Sequence, residues 1–512
     1  MQAVSLMHLP VELHISILKF LLSLSRHNVG DLFSLSSFSP QFFSPLDSDP
    51  VSWEWIERDP CSESLFPFNA ASVCKLWHNI LAGIPECWTR VVFDVASDPG
   101  PFLNAFSWSR NLEEIDVAIF NSSEYADEAL ENKRISAIAQ TLRLHVHRCR
   151  LISINTIYSS SLPPPNIFFL RDAPNLYTLS LEYLIDNFDA STHPSLPTLE
   201  EEQTTFATSF PELRIFSMPA FWLIDMALLA PYSEWLNQLY SSNMDITIAK
   251  FKFPKNGQYS LTNFLSCLCQ LKEPSSISLR ELTLSYEYSG HNLESPDRSA
   301  YAHIISDDIH FISTSKDFIA HLYSVADLFP DGILIFEDCE IPNISRLQNA
   351  QNIRLENIPD DRGLSFRNIL AAWKGSQLSI QSCPSFDDKL LSWLRSEGEY
   401  LDPEGNGMLL KMFPAKYLSS LQVHDCVDFT TPALVDVIRF RKDSHTTFRA
   451  VELEEVDSHN PLYISSIDSL YISGRGPALT PEEMVWFYSN EGSICVTWET
   501  KDDEGEPHEF SL

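Results

Sequence analysis

The sequence predicts an α/β chain in which a small helical N-terminal module is followed by an irregular repeat solenoid built on a curved parallel sheet. Three observations carry this expectation. Two amphipathic helical stripes lie within the first 95 residues, and beyond residue 100 a compact apolar strand pattern keeps returning, often with a helical stretch behind it. Apolar residues make up 44% of the 512 positions, which is enough for a large core and excludes disorder throughout.

The first stripe begins at Leu9-Pro10-Val11-Glu12-Leu13, where Pro10 suits the first helical position and Glu12 the positive end of the helix dipole. Leu13, Ile17, Leu21 and Leu24 recur at helical spacing, with Leu18 and Phe20 broadening the stripe. From Ser25 to Phe66 Ser, Pro, Phe and Asp dominate and the period is lost, which reads as a loop or insertion. A second helix is expected from Asn69 as N-cap to Gly83 in a left-handed stop, with Val73, Leu76, Trp77, Ile80 and Leu81 as its stripe. Val91-Val92-Phe93-Asp94-Val95 then reads as a strand.

The recurring pattern is Leu-x-x-Leu-x-Leu or a fragment of it. It starts at Leu112, Leu176, Leu213, Leu279, Ile353, Leu378, Leu418, Val451 and Leu470. The spacing is irregular and often exceeds the roughly 20 to 29 residues of a regular leucine-rich repeat, so the copies are degenerate and carry insertions. The clearest runs from Leu421 through Cys426 into a helix that starts at Pro432 behind Thr431; Leu378 to Pro384 repeats the logic, including the Cys after the strand. Each unit has one apolar strand face and one apolar helix face and cannot bury both alone. Stacked neighbours would expose the intervening strand residues on a concave surface suited to a partner.

Charge and cysteine usage narrow the function. Lys and Arg number 35 against 69 Asp and Glu, a formal charge of −34, which repels phosphate backbones and anionic lipid at long range. Direct nucleic-acid or membrane-surface binding is therefore not expected. Ten scattered cysteines without a CxxC pair read as reduced thiols, so the expected location is cytoplasmic or nuclear. The apolar run Ile17 to Leu24 contains Lys19 and lacks both a basic lead and a small-residue cleavage site, so it is not read as a signal peptide.

Leu9-Pro10-x-Glu12-Leu13-x-x-x-Ile17-Leu18, then Val73-Cys74-Lys75-Leu76-Trp77, then Pro85-x-x-Trp88 together resemble an F-box, in the F-box-like form common in fungal proteins with leucine-rich-repeat tails. The resemblance covers residues 1–95, departs from the family in the 25–66 insertion, and leaves 96–498 as the repeat-like domain and 499–512 as an acidic tail read as a solvated end. It implies docking on the Skp-family adaptor of a cullin-RING ubiquitin ligase. The adaptor surface would use Leu9, Pro10, Leu13, Ile17, Leu18, Val73, Cys74, Trp77, Ile80 and Trp88. From the stripes alone the choice between a partner and packing against the solenoid end stays open.

Other constellations point to packing. His145, His147 and Cys149 would alternate along one strand face, but no second ligand pair accompanies them, so no metal or other cofactor is expected. Cys267 and Cys269 lie in an apolar segment. No Gly precedes a Lys, and HExxH and G-x-S-x-G are missing, so no catalytic residue is assigned. The expected function is substrate receptor of an SCF-type ligase, binding the adaptor and cullin scaffold at one end and an unknown protein substrate at the other. The alternatives are a leucine-rich-repeat interaction scaffold without a ligase role and an enzyme with an unrecognised site.

Overall fold

A computed structural model describes residues 9–32, 65–110, 112–123, 127–164, 167–168, 173–188, 210, 212–228, 244–271, 274–288, 302–344, 347, 350–371, 373–401, 409–451, 463–490, 492–501 and 507–512. The chain forms two compact units, Met1–Met218 and Pro219–Leu512. Both are α/β, and the main sheet in each is mostly parallel and open. Most of the 25–66 stretch and part of the acidic tail lie outside the described residues.

The first unit contains α1 (Val11–Leu32), α2 (Phe68–Val73), α3 (Lys75–Ala82), β1 (Arg90–Asp94), α4 (Ala105–Trp108), β2 (Ile115–Phe120), α5 (Glu128–Leu142), β3 (Cys149–Tyr158), β4 (Thr178–Ile185) and β5 (Ile215–Pro219). Strands β1 to β5 pair in chain order, all parallel. One lateral row runs Val91, Val117, Ile152, Leu179, Phe216, and the row on the opposite face runs Val92, Ala118, Ser153, Ser180, Ser217. Both rows are buried. Leu65 and Phe68 pack against Val92, Ala118 and Phe120, where Ala118 leaves room for them. Glu131, 2% exposed, ties α5 to this sheet. Its carboxylate accepts from Asn121 Nδ2 (2.8 Å), Ile157 N (2.8 Å) and Tyr158 N (3.1 Å).

Four sequence expectations change here. Helix α1 continues to Leu32, so residues 25–32 are helical rather than loop. The second helix is broken at Cys74, whose backbone is extended (φ −162°, ψ 160°) and whose Sγ accepts from Trp77 N to start α3. Gly83 closes α3 with φ −88°, in the right-handed region. His145 and His147 are not on a strand: α5 ends at Leu142, a 3-10 turn spans Val146–Arg148, and β3 starts only at Cys149. His145 stacks on Phe106 at 5.3 Å instead.

The second unit contains α6 (Ala220–Leu228), β6 (Asp245–Phe253), α7 (Leu261–Leu268), β7 (Ser276–Leu284), β8 (Ala302–Ser306), β9 (Asp308–Ile312), α8 (Lys316–Val325), β10 (Ala326–Pro330), β11 (Ile333–Glu337) and β12 (Asn352–Glu356). It continues with α9 (Leu364–Leu370), β13 (Gln377–Gln381), α10 (Asp388–Leu394), β14 (Gly398–Leu401), β15 (Leu409–Met412), β16 (Ser420–His424), α11 (Thr431–Val451), β17 (Ser469–Arg475), α12 (Pro481–Tyr488), β18 (Cys495–Lys501) and β19 (Pro507–Ser511). Strands β6, β7, β9, β11, β12, β13, β16, β17 and β18 follow one another in the sheet, all parallel, and β19 adds an antiparallel edge. Strands β8 and β10 form a separate parallel pair, and β14 and β15 a hairpin. Residues 499–501 and 507–511, placed by the sequence in a solvated tail, thus belong to this sheet edge. Val451, expected to open a strand, is the last residue of α11, and Thr430 rather than Thr431 caps that helix by accepting from Ala433 N.

One corner repeats along this sheet. The residue after the strand end has positive φ at Ser313 (49°), Asp338 (51°), Asn357 (49°), Ser382 (50°) and Asp425 (51°). Each donates its N–H to a carbonyl of the next strand over 2.9 to 3.1 Å, the last one at Glu337, Glu356, Gln381 and His424, and Ser473 two residues before the end of β17. The following residue turns inward, as Thr314, Cys339, Ile358, Cys383 and Cys426, all buried. Thr314 Oγ1 donates to Leu279 O, Cys339 Sγ to Glu337 O and Cys383 Sγ to Gln381 O, so each inward polar group is satisfied by backbone. The next corner is Gly474 (φ 73°), where a Cβ would stand 2.3 Å from Asp425 Oδ1.

Burial pushes the Cys339 and Cys383 thiols up to about 12 and Cys426 up to about 11. Alkylation needs the thiolate, so these three cysteines should stay unlabelled in the native chain while exposed Cys495 reacts. Peptide mapping after brief iodoacetamide treatment checks this. Native labelling of Cys383 at the rate of Cys495 would contradict the buried ladder.

Candidate partner-binding surfaces

Helix α1 carries two stripes, only the second of them apolar throughout. One is interior, with His14 and Leu18 at 0% exposure and Ser25 at 7%. His14 Nδ1 accepts from Trp77 Nε1 at 3.0 Å, a buried bond that fixes α1 on α3. The other stripe faces outward. Leu13, Phe20 and Leu24 are 48, 63 and 43% exposed, and half-buried Ile17 completes the i, i+4, i+7, i+11 series on one helix face. Val11 and, at the end of α2, Val73 are also exposed. Apolar surface concentrated along one side of a helix marks an interaction site more often than scattered apolar residues do.

The ten residues singled out in the sequence therefore divide. Pro10, Leu13 and Val73 are exposed, and Leu9, Ile17, Cys74 and Ile80 are half-buried. Leu18, Trp77 and Trp88 are interior. Trp88 donates its Nε1 hydrogen to Leu81 O at 2.8 Å and packs against Trp108 and Phe68, with ring centroids 4.7 and 5.3 Å away. These tryptophans hold the helices against the rest of the unit. Phe20 and Leu24, part of the stripe read from the sequence but outside the set that the resemblance implies, complete this outward face.

The second surface is the polar face of the β7 to β18 sheet. From β12 to β16 the strands alternate, with inward residues such as Ile353, Leu355, Leu378, Ile380, Leu421 and Val423 buried and their neighbours open to solvent. Register brings the residues of this face into lateral rows, most of them at least partly open, with Ile335 and Ser473 buried. One row runs His310, Ile335, Arg354, Ser379, Gln422, Tyr471; the next runs Ile312, Glu337, Glu356, Gln381, His424, Ser473. In the first unit the equivalent rows are covered, as Ser153, Ser180 and Ser217 show. The open polar face thus belongs to the second unit among the described residues.

Its electrostatics centre on Glu337 and Glu356, which stand side by side in register. His310 Nε2 lies 3.1 Å from Glu337 Oε2, and that hydrogen bond, with Arg354 and Arg280 nearby, holds the Glu337 carboxyl below its ordinary value. Arg354 pairs with the Glu356 carboxylate and donates from Nη2 to Gln381 Oε1 at 3.0 Å. Burial, and after it the repulsion of Glu337, nevertheless raises the Glu356 carboxyl. Farther along, His424 joins Ser473 Oγ (2.8 Å) to Asp425 Oδ2 (3.0 Å). The face therefore offers acids, amides and hydroxyls in fixed order, suited to reading a protein surface. Among the described residues no group of three or more His, Cys, Asp or Glu is placed to hold a metal ion, and no helix is long and apolar enough to cross a membrane. No family model matches this chain, and no curated protein matches it either.

A carboxyl whose folded value is depressed contributes stability above its unfolded value, about 4.3 for Glu, and loses it as pH falls through the folded value. Glu337→Gln should therefore lower the melting temperature at pH 7, and the gap from wild type should close on acidification. Melting curves between pH 7 and pH 3 check the sign. A gap that stays constant with pH would show that Glu337 is not held ionised by His310.

Proposed function

We propose that this chain is the substrate-receptor subunit of an SCF-type cullin-RING ubiquitin ligase. On this reading the α1 to α3 helices are an F-box-like module that docks on a Skp-family adaptor. The second unit is an irregular leucine-rich-repeat solenoid whose polar sheet face holds a protein substrate. The mechanism is proximity: tethering substrate and ligase on one chain raises the effective concentration of target lysines near charged ubiquitin. No residue of the chain performs chemistry. The parallel order of neighbouring strands, the corner repeated after five of them and the one-sided polar face support the repeat reading, because each is what stacking of single strand-and-return units requires.

The observation that carries the adaptor role is the outward Leu13, Ile17, Phe20, Leu24 stripe on a helix already secured through its opposite side by His14 and Trp77. A helix that needed only to pack inward would not place three large apolar residues in water along one line. A mostly hydrophobic docking face of this kind loses affinity steeply when a central apolar residue becomes charged.

Co-purification with a Skp-family adaptor tests the proposal. Wild type should retain the adaptor, while Leu13→Asp and Phe20→Asp, both exposed and so compatible with folding, should each lose at least about tenfold in affinity. A wild-type chain that does not bind the adaptor, or variants that bind it unchanged, would overturn the reading. Adaptor retained without cullin would favour an interaction scaffold outside a ligase.

A further inference from the structure

A cavity of about 800 Å³ lies wholly within the second unit, between α11, residues 466–468, α12 and the 492–495 turn. Its volume falls within the roughly 300 to 1,000 Å³ of small-molecule sites. Ile438, Ile467, Ile494 and the Trp486 indole supply its apolar wall. Its polar groups are few. Lys442, His445 and Thr446 come from one side of α11, and Asp468 from the segment before β17.

Lys442 is the informative group. Its ammonium donates to Asn490 Oδ1 at 2.6 Å and Ser493 Oγ at 2.7 Å, both neutral. Among the described residues no carboxylate comes within ion-pair distance of it, in a chain where acids outnumber Lys and Arg 69 to 35. An ammonium has three N–H bonds, so one remains for a ligand. His445 Nδ1 lies 3.2 Å from Ile464 O, an acceptor only, so Nδ1 carries the hydrogen. Asp468 is held by the Ser466 hydroxyl. Positive charge with neutral partners, set beside an aromatic and aliphatic wall, matches an anion that carries an apolar body.

We propose that this cavity binds a small organic carboxylate, its anionic group on Lys442 Nζ and its apolar body against Trp486 and the three isoleucines. Binding there would tie α11 to the turns that enter β17 and β18. The site is independent of the adaptor surface and of the polar sheet face.

Calorimetric titration of the full chain with 4-phenylbutyrate, its amide and the matching amine tests the proposal, since the three share one body and differ in charge. The acid should bind with Kd at or below about 1 mM and at least about tenfold tighter than the amide, and the amine should bind no better than the amide. Lys442→Gln should abolish the preference for the acid, and Lys442→Arg should keep it. Thr446→Glu, at an exposed position on the same wall, should weaken the acid but not the amide. Equal binding of acid and amide, no binding of any probe, or a preference for the acid that survives both Lys442→Gln and Thr446→Glu would overturn the proposal.

Discussion

Five successive strands of the second unit's sheet, β9, β11, β12, β13 and β16, meet the same constraint at their ends. A parallel strand must leave the sheet without stranding the last carbonyl of its neighbour, and the chain must turn at once toward the core. The solution is a single residue in the left-handed region whose N–H reaches the next strand, as in Asp338 to Glu356 O at 3.1 Å and Asn357 to Gln381 O at 3.0 Å. For a residue other than Gly that conformation costs of order 1–2 kcal/mol, and one amide hydrogen bond offsets about 1 kcal/mol of it. Burial of the following side chain supplies the rest, about 1.5–3 kcal/mol for a fully buried aliphatic group such as Ile358. Corner and inward residue therefore depend on each other, and together they set the register on which the lateral rows rest.

That register gives the two units different surfaces. In the first, small residues at Ala118, Ser153, Ser180 and Ser217 let the second sheet face be covered, and the exposed apolar surface shifts to helix α1. In the second, Arg354, Glu356, Gln381 and His424 keep the corresponding face in water. Placing a charged row under cover would strand its carboxylates, whereas a row of serines hydrogen-bonds locally and can be buried at small cost. The proposed receptor would use this division, an adaptor held through apolar contacts and a substrate through polar ones.

Much of the sheet was legible because many of its inward positions are leucines within a short recurring pattern. The copies at Leu176, Leu378, Leu418 and Leu470 fall on or just before β4, β13, β16 and β17. Strands β3, β9 and β11 escaped notice because they use Ile and Phe, as in Ile309 and Phe311, and because Ile333 to Phe336 is apolar without alternation. The acidic end hid β18, whose Val496 and Trp498 are buried between exposed polar neighbours. At the helical module, the stripes were readable but not their direction. An amphipathic period says that a face is covered, not whether by the chain or by a partner, and so Trp77 and Trp88 were placed on a surface when both are interior.

The most direct test of this account is native-state hydrogen exchange at the corner amides of Asp338, Asn357, Ser382 and Asp425. If the corners secure the sheet, these amides should exchange as slowly as those of Leu355 and Ile380 inside the neighbouring strands, and Asn357→Pro, which removes the corner N–H and cannot adopt its positive φ, should speed exchange across β12 and β13 together. Corner amides that exchange at the rate of open loops while the strands stay protected would contradict it.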